Sequence, residues 1–140
     1  MEIAEKIKNG LKEKIIDWYR HSERRYYFSI KPDDLVDTAR FLFNELKLRF
    51  SIATAVDTPK GIEILYHFSY DASGEIFSAR VLIEDREKPR VSSLTKLFPA
   101  AEWIEREIWE LFGVEFVGHP NLKHLLLKED WPEGKYPLRK

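Results

Sequence analysis

From Phe50 to Ile83 the apolar residues return at every second position, and two short polar breaks divide the run into three. Phe50, Ile52, Thr54 and Val56 share one face, followed by Asp57-Thr58-Pro59-Lys60-Gly61 as turn material. Ile62, Ile64, Tyr66, Phe68 and Tyr70 share the next face, Asp71-Ala72-Ser73-Gly74 turns again, and Ile76 to Ile83 carries the third segment. A repeat of two is the pleat of a β-strand, whose successive side chains leave opposite faces. Turns this short join antiparallel neighbours, so the segment predicts a three-stranded meander. A sheet with an apolar face needs a covering layer, and in a chain of 140 residues that layer comes from the flanks of the same domain.

The flanks supply it. Ile3, Ile7, Leu11, Ile15 and Trp18 recur at helical spacing, with Lys and Glu between them, which predicts an amphipathic helix over residues 2–21, weakened by Asn9-Gly10. Tyr26, Phe28 and Ile30 alternate within Arg25–Ile30 as a short strand does. Pro32 suits the first turn of a second helix with Leu35, Ala39, Leu42 and Leu46 as its buried stripe. Beyond the polar loop Asp85–Pro89, Ser92-Ser93 suit a cap and a short helical turn reaches Phe98. Pro99 then starts a helix that carries Trp103, Ile104, Ile108, Leu111 and Phe112 inward and ends at Gly113. Gly118, Pro120, Pro132, Gly134 and Pro137 break any period in the remainder. The expected fold is α+β: a two-layer domain over residues 1–113, with helices packed on a mostly antiparallel four-stranded sheet, and an extended C-terminal tail over 114–140.

Composition removes whole classes of chemistry. There is no cysteine, so iron–sulfur ligation, thiolate zinc sites and cysteine nucleophiles are excluded. A net charge of -1 offers no global basic field for nucleic acid. No apolar run approaches the ~20 residues that cross a bilayer, and the charged N-terminal stretch has no signal-peptide core, so no membrane span and a cytoplasmic location are expected. A charged fraction of 34%, with no Gln and one Met, leans toward a thermophilic source.

Residues able to do chemistry are scarce. His21, His67, His119 and His124 include no i, i+4 pair, and His119 with His124 reads better as solvated or partner-facing than as a metal site. Glu102, Glu105, Glu107 and Glu110 crowd one helix, and paired carboxylates are the raw material of acid–base catalysis. Arg106, four residues from both Glu102 and Glu110, offers a plainer explanation: ion pairs along an exposed helix face, worth about 0.3–0.5 kcal/mol each. Charge beside Trp103 and Trp109 also suits a docking surface. Neither a Walker pattern nor G-x-G-x-x-G occurs, and Ser73 beside Gly74 is hairpin-turn material. Tyr26-Tyr27-Phe28 next to Arg24 and Arg25 could stack bases, but a strand feeding a core explains the aromatics more simply. The isolated chain is therefore expected to bind neither metal nor nucleotide.

Glu105-Arg106-Glu107, then Glu110 with the apolar pair Leu111-Phe112, then Gly118, His119-Pro120, Lys123 and the apolar pair Leu125-Leu126 form one long spaced pattern. It resembles the signature of the complex I thirty-kilodalton subunit family. Ala53-Thr54-Ala55-Val56-Asp57, Ile64-Leu65-Tyr66-His67-Phe68, Val91-Ser92-Ser93-Leu94-Thr95 and Phe98-Pro99-Ala100-Ala101-Glu102-Trp103 are similar to the family's hairpin and pre-helix segments, so the resemblance runs from about residue 48 to the end.

The resemblance implies a non-catalytic subunit of a peripheral arm on the cytoplasmic side of the cell membrane. It would pack against a large nickel–iron-type subunit and a small iron–sulfur subunit, touching the membrane arm only indirectly. Iron–sulfur clusters, and a nickel–iron centre where there is one, would sit in those partners and no cofactor in this chain. Partner-binding roles would fall on Glu105, Arg106, Glu107, Trp109, Glu110, Gly118, His119, Pro120, Lys123, Trp131, Tyr136 and Arg139. The tail is expected to gain its order along the large subunit, with Phe116 folding back on its own domain. The ending from Lys128 to Lys140 is more similar to that of membrane-bound hydrogenases and related ferredoxin-linked complexes than to the mitochondrial form, which favours that branch over the C subunit of NADH-quinone oxidoreductase proper. A stand-alone small enzyme built on Glu105, Glu107 and Glu110, and an adaptor domain, are remoter alternatives.

Overall fold

The N-terminal stripe makes a shorter helix than its spacing predicts. In the computed structural model, which describes residues 2–123 and 135–139, α1 spans Ile3–Leu11 and buries Ile3, Ala4, Ile7 and Leu11. Lys12, at a φ of +48°, closes it. A 3-10 turn over Lys12–Lys14 follows, and the chain then extends as β1 (Asp17–Ser22), antiparallel to β2 (Arg25–Ile30). The helix expected over 2–21 thus yields to a strand at Asp17, and the sheet has five strands rather than four. The reason lies in Trp18. On a strand its ring stacks on Phe28 at 5.5 Å and packs against Tyr26 and Phe77, an aromatic cluster that continuing the helix would forfeit. Gly10 has its own use: a Cβ there would lie 2.0 Å from the Phe41 ring, so only glycine lets α1 approach that closely.

The second helix is composite. A 3-10 turn at Pro32–Asp34 leads into α2 (Leu35–Arg40) and a wider π-type turn over Phe41–Glu45, together burying Leu35, Thr38, Ala39 and Leu42. Then come β3 (Arg49–Thr58), β4 (Gly61–Tyr70) and β5 (Glu75–Ile83), the antiparallel meander that the period of two predicts. Strand order is β1-β2-β5-β4-β3, with β2 lying parallel to β5. The inner face, formed by Tyr26, Phe28, Ile30, Ile62, Ile64, Tyr66, Phe68, Phe77, Ala79, Val81 and Ile83, is buried with the helical stripes in one core.

β3 departs from its expected facing. Phe50 pairs with Phe68, but Ile52 pairs with His67, so Ser51 is an extra residue. Such a bulge inverts the alternation downstream of it. Ala53 and Asp57 are buried, while Ile52 and Val56, predicted to share one face with Phe50, are each 48% exposed. Asp57 is strand rather than turn, and its Oδ1 sits 2.6 Å from the Arg86 guanidinium.

Past the meander, β6 (Arg90–Ser92), α3 (Ala101–Phe112) and β7 (Glu115–Val117) complete the body, with β6 and β7 a parallel pair. Phe98 is buried between Phe50 and Phe43, each 4.9 Å away by ring centres. Val114 and Phe116 are buried, so the packed body runs beyond Gly113. Residues 135–139 lie against the end of α3, where the Leu138 N–H donates to the Leu111 carbonyl at 3.0 Å. Among the described residues no helix is long and apolar enough to cross a membrane.

Candidate functional site

α3 sorts its charged and aromatic residues against the usual rule. Glu105, Arg106 and Glu110 are 2%, 5% and 1% exposed, whereas Trp103, predicted inward, is 57% exposed. Ile108 and Phe112 are buried as predicted. The exposed ladder of ion pairs is therefore not what forms, since Arg106 and Glu110 both lie inside. A buried carboxylate needs partners for both oxygens. Glu105 finds them: the Ser93 hydroxyl donates to Oε1 at 2.6 Å and the Leu94 N–H donates to Oε2 at 2.7 Å. Ser93 in turn accepts the Thr95 N–H at 3.1 Å, and its own N–H donates to the Val117 carbonyl at 2.8 Å. The carboxylate is thereby fastened to the point where the chain leaves the β6–β7 pair.

Burial pushes the Glu105 carboxyl above its ordinary value, and the Leu94 N–H, the Ser93 hydroxyl and nearby His119 pull less strongly the other way. The Tyr66 phenol, fully buried on β4, is pushed well up, first by burial and then by the Glu105 charge.

The loop after β7 is held from the other side. His119 Nε2 donates to the Glu102 carbonyl at 3.0 Å while Nδ1 accepts the Asn121 N–H at 2.9 Å, a pattern that the neutral ring with its proton on Nε2 satisfies. Arg106 Nε donates to the Lys123 carbonyl at 3.2 Å, and its guanidinium lies 4.9 Å from the centre of the Trp103 ring. Two loops, 93–95 and 118–123, are therefore strapped to the N-terminal half of α3.

Of the residues singled out from sequence, Glu107, Gly118, Pro120 and Lys123 are exposed, and Trp109, His119, Tyr136 and Arg139 half-buried. Tyr136 covers Gly113, and Arg139 donates to the Arg86 carbonyl. His124 and Trp131 lie outside the described residues. Sequence reasoning did not find Ser93 and the Leu94 N–H as partners of Glu105, because no local spacing links residues that meet only after β6, β7 and α3 have packed. Among the described residues no group of three His, Cys, Asp or Glu side chains gathers as a metal site.

The sequence matches the family described as respiratory-chain NADH dehydrogenase, 30 Kd subunit, over residues 28–140. The chain belongs to that family. Within the 30 Kd family it is similar to the C subunit of NADH-quinone oxidoreductase from Ruegeria pomeroyi, 39% identical over 117 residues that cover 79% of this chain and 56% of that one. The protein of the same name from Roseiflexus castenholzii is 39% identical over 118 residues, covering 79% and 66%. The chain thus spans 56% and 66% of the lengths of these two curated relatives. Among solved structures, a chain of the membrane-bound sulfane sulfur reductase, an archaeal respiratory membrane complex, aligns with a TM-score of 0.83 at 29% identity, covering 98% of this chain and 81% of that one. The trypsin-resistant fragment of Nqo5 shares the 30 Kd fold, with a TM-score of 0.69 at 20% identity over 87% of this chain and all of that one.

Proposed function

We propose that this chain is a non-catalytic, peripheral subunit of a complex I-like respiratory oxidoreductase, and that the outer side of α3 with the loop 118–123 is a face it turns toward its partners. The observation that carries the reading is the division of labour on α3. Both oxygens of Glu105 are engaged by this chain's own Ser93 and Leu94, which leaves that carboxylate unsuited to acid–base work, while Trp103 and Glu107 on the same helix remain exposed. An exposed Trp stacked on a buried Arg is the kind of anchor that protein interfaces favour.

On this reading the partners are a large nickel–iron-type subunit and a small iron–sulfur subunit. The clusters, and a nickel–iron centre where the assembly has one, belong to them, in keeping with the absence of cysteine here. The ending from Lys128 to Lys140 favours the branch of membrane-bound hydrogenases and related ferredoxin-linked complexes, and the likeness over 98% of this chain to a chain of an archaeal respiratory membrane complex is compatible with a reading outside NADH-quinone oxidoreductase, while the 39% identity to C subunits of NADH-quinone oxidoreductases keeps that enzyme as the second reading. Purification of the tagged chain from its native membrane tests both. Co-migration with a cluster-bearing small subunit and a nickel–iron-type large subunit is expected, and a monodisperse chain with no such partners would overturn the assignment.

A further inference from the structure

The sheet face opposite the helices is crossed by no described element. Across it, cross-strand pairing aligns Tyr27 on β2, Ser78 on β5, His67 on β4 and Ile52 on β3, with Arg25, Ile76 and Ser69 in an adjacent row. These rows form an open cleft of about 290 Å³ whose lining includes Arg25, Arg49 and His67 and contains no acidic residue. The cations differ in what they already hold. Arg49 pairs with Asp71 at 3.1 Å on the rim, and Arg80 further along pairs with Glu63 at 3.2 Å. The Arg25 side chain makes no ion pair or hydrogen bond among the described residues.

His67 sits between hydroxyls, with Nδ1 2.6 Å from Ser78 Oγ and Nε2 3.2 Å from Thr54 Oγ1. Its pKa is held below the ordinary value, first by burial and then by the charge of Arg25. The Ser51 bulge turns Ile52, in the lining of the cleft, out to solvent, and Tyr19 is exposed on β1.

We propose that this cleft docks the carboxylate of an Asp or Glu presented by a neighbouring protein subunit, with Arg25 as its ion-pair partner and Ile52 as the apolar contact in the same cleft. Charge complementarity selects the occupant: an unpaired guanidinium, an imidazole and no acid make a site for one anion. Size argues against a free metabolite, because an open cleft at the lower end of the roughly 300–1,000 Å³ of small-molecule sites cannot bury one. A carboxylate carried on a protein segment brings its own apolar flank, which a free anion lacks, and exposed Ile52 in the cleft supplies the matching surface. The inference rests on the reading of this chain as a subunit of a larger assembly, but not on α3 being a docking face, since this surface lies on the opposite layer.

The test is a photo-crosslinking side chain at Ile52 in the assembled complex, with the captured peptide read by mass spectrometry. A cross-link to an Asp- or Glu-bearing segment of another subunit, lowered at least tenfold by Arg25→Glu and retained in Arg25→Lys, is the expected result. Arg25→Met serves as a neutral control should the charge reversal lower the yield of folded chain. Capture of this chain's own residues 124–134, capture of a segment without an acid, no capture, or a yield unchanged in Arg25→Glu and Arg25→Met overturns the proposal. In the folded chain Arg25 is the charge that bears on His67. A His67 NMR titration moved upward by millimolar phosphate alone, without a subunit cross-link, would identify a free-anion site and likewise overturn it.

Discussion

α1 and α3 are both amphipathic and both carry charge, yet they place it on opposite sides. α1 buries only Ile3, Ala4, Ile7 and Leu11 and leaves Glu5, Lys6 and Lys8 in solvent. α3 buries Glu105, Arg106 and Glu110 alongside Ile108 and Phe112, and exposes Trp103. The contrast separates two tasks. A helix that only covers a sheet obeys apolar periodicity, because transfer of apolar surface from water is what holds it there. A helix that must also hold irregular loops needs buried acceptors and donors for their backbone groups, and those have to be polar.

The largest expected effect breaks the covering helix. Ile7→Ala removes a fully buried side chain of α1 and should lower stability by about 2–5 kcal/mol, measured by denaturant unfolding of the chain; a loss under about 1 kcal/mol would mean that α1 is not part of the core.

Next comes the strap. Glu105→Ala leaves the buried Leu94 N–H without an acceptor and should cost about 2–3 kcal/mol, since each buried group left unsatisfied costs about 1–3 kcal/mol. Glu105→Gln keeps the shape and removes the titration. Because the folded carboxyl lies above its ordinary 4.5, the folded state binds the proton more tightly than the unfolded chain. The Glu105 contribution is therefore present below the unfolded value and is lost as pH rises through the folded one. Unfolding curves for both proteins between about pH 4 and 8 should show wild-type stability falling relative to Glu105→Gln with rising pH. A difference independent of pH would refute a buried, ionising Glu105.

Gly113 ends α3 at a φ of +79° with the Tyr136 ring 2.5 Å from where a Cβ would stand. Gly113→Ala should cost about 1–2 kcal/mol from the left-handed backbone, with further loss from displacing Tyr136. Thermal melts of Gly113→Ala and of Gly113→Ala/Tyr136→Ala would separate the two terms. The smallest effect is expected at Trp103, where Trp103→Ala should change the stability of the isolated chain by about 0.5 kcal/mol or less while reducing recovery of the assembled complex in pull-down. A large stability loss would place Trp103 in this chain's own packing.

The meander, the second helix and the end of α3 at Gly113 were legible in the sequence because each is written in local signals: a period of two, a Pro at a helix start, a Gly just past a helix end. Three features were not. The Ser51 bulge depends on how Phe50 and Ile52 pair with β4, and a one-residue offset reverses every facing beyond it. Trp18 fits a helical stripe as well as a strand, and only its aromatic partners on β2 and β5 decide between them. On α3 the signature Glu105-Arg106-Glu107 was recognisable as a pattern, but that its first two members point inward follows from loops 93–95 and 118–123, far away along the chain.

A chain leaving the ribosome can close β3 on β4 and β4 on β5 through short turns as soon as each strand emerges. The β1–β2 hairpin has to wait, because the strand it joins, β5, begins only at Glu75, and Arg25 meets Ile76 across the whole of the second helix and two strands. Closing so long a loop is slow compared with hairpin formation. The N-terminal third therefore docks late in folding, with its Tyr and Trp rings exposed until the last strand of the meander is in place.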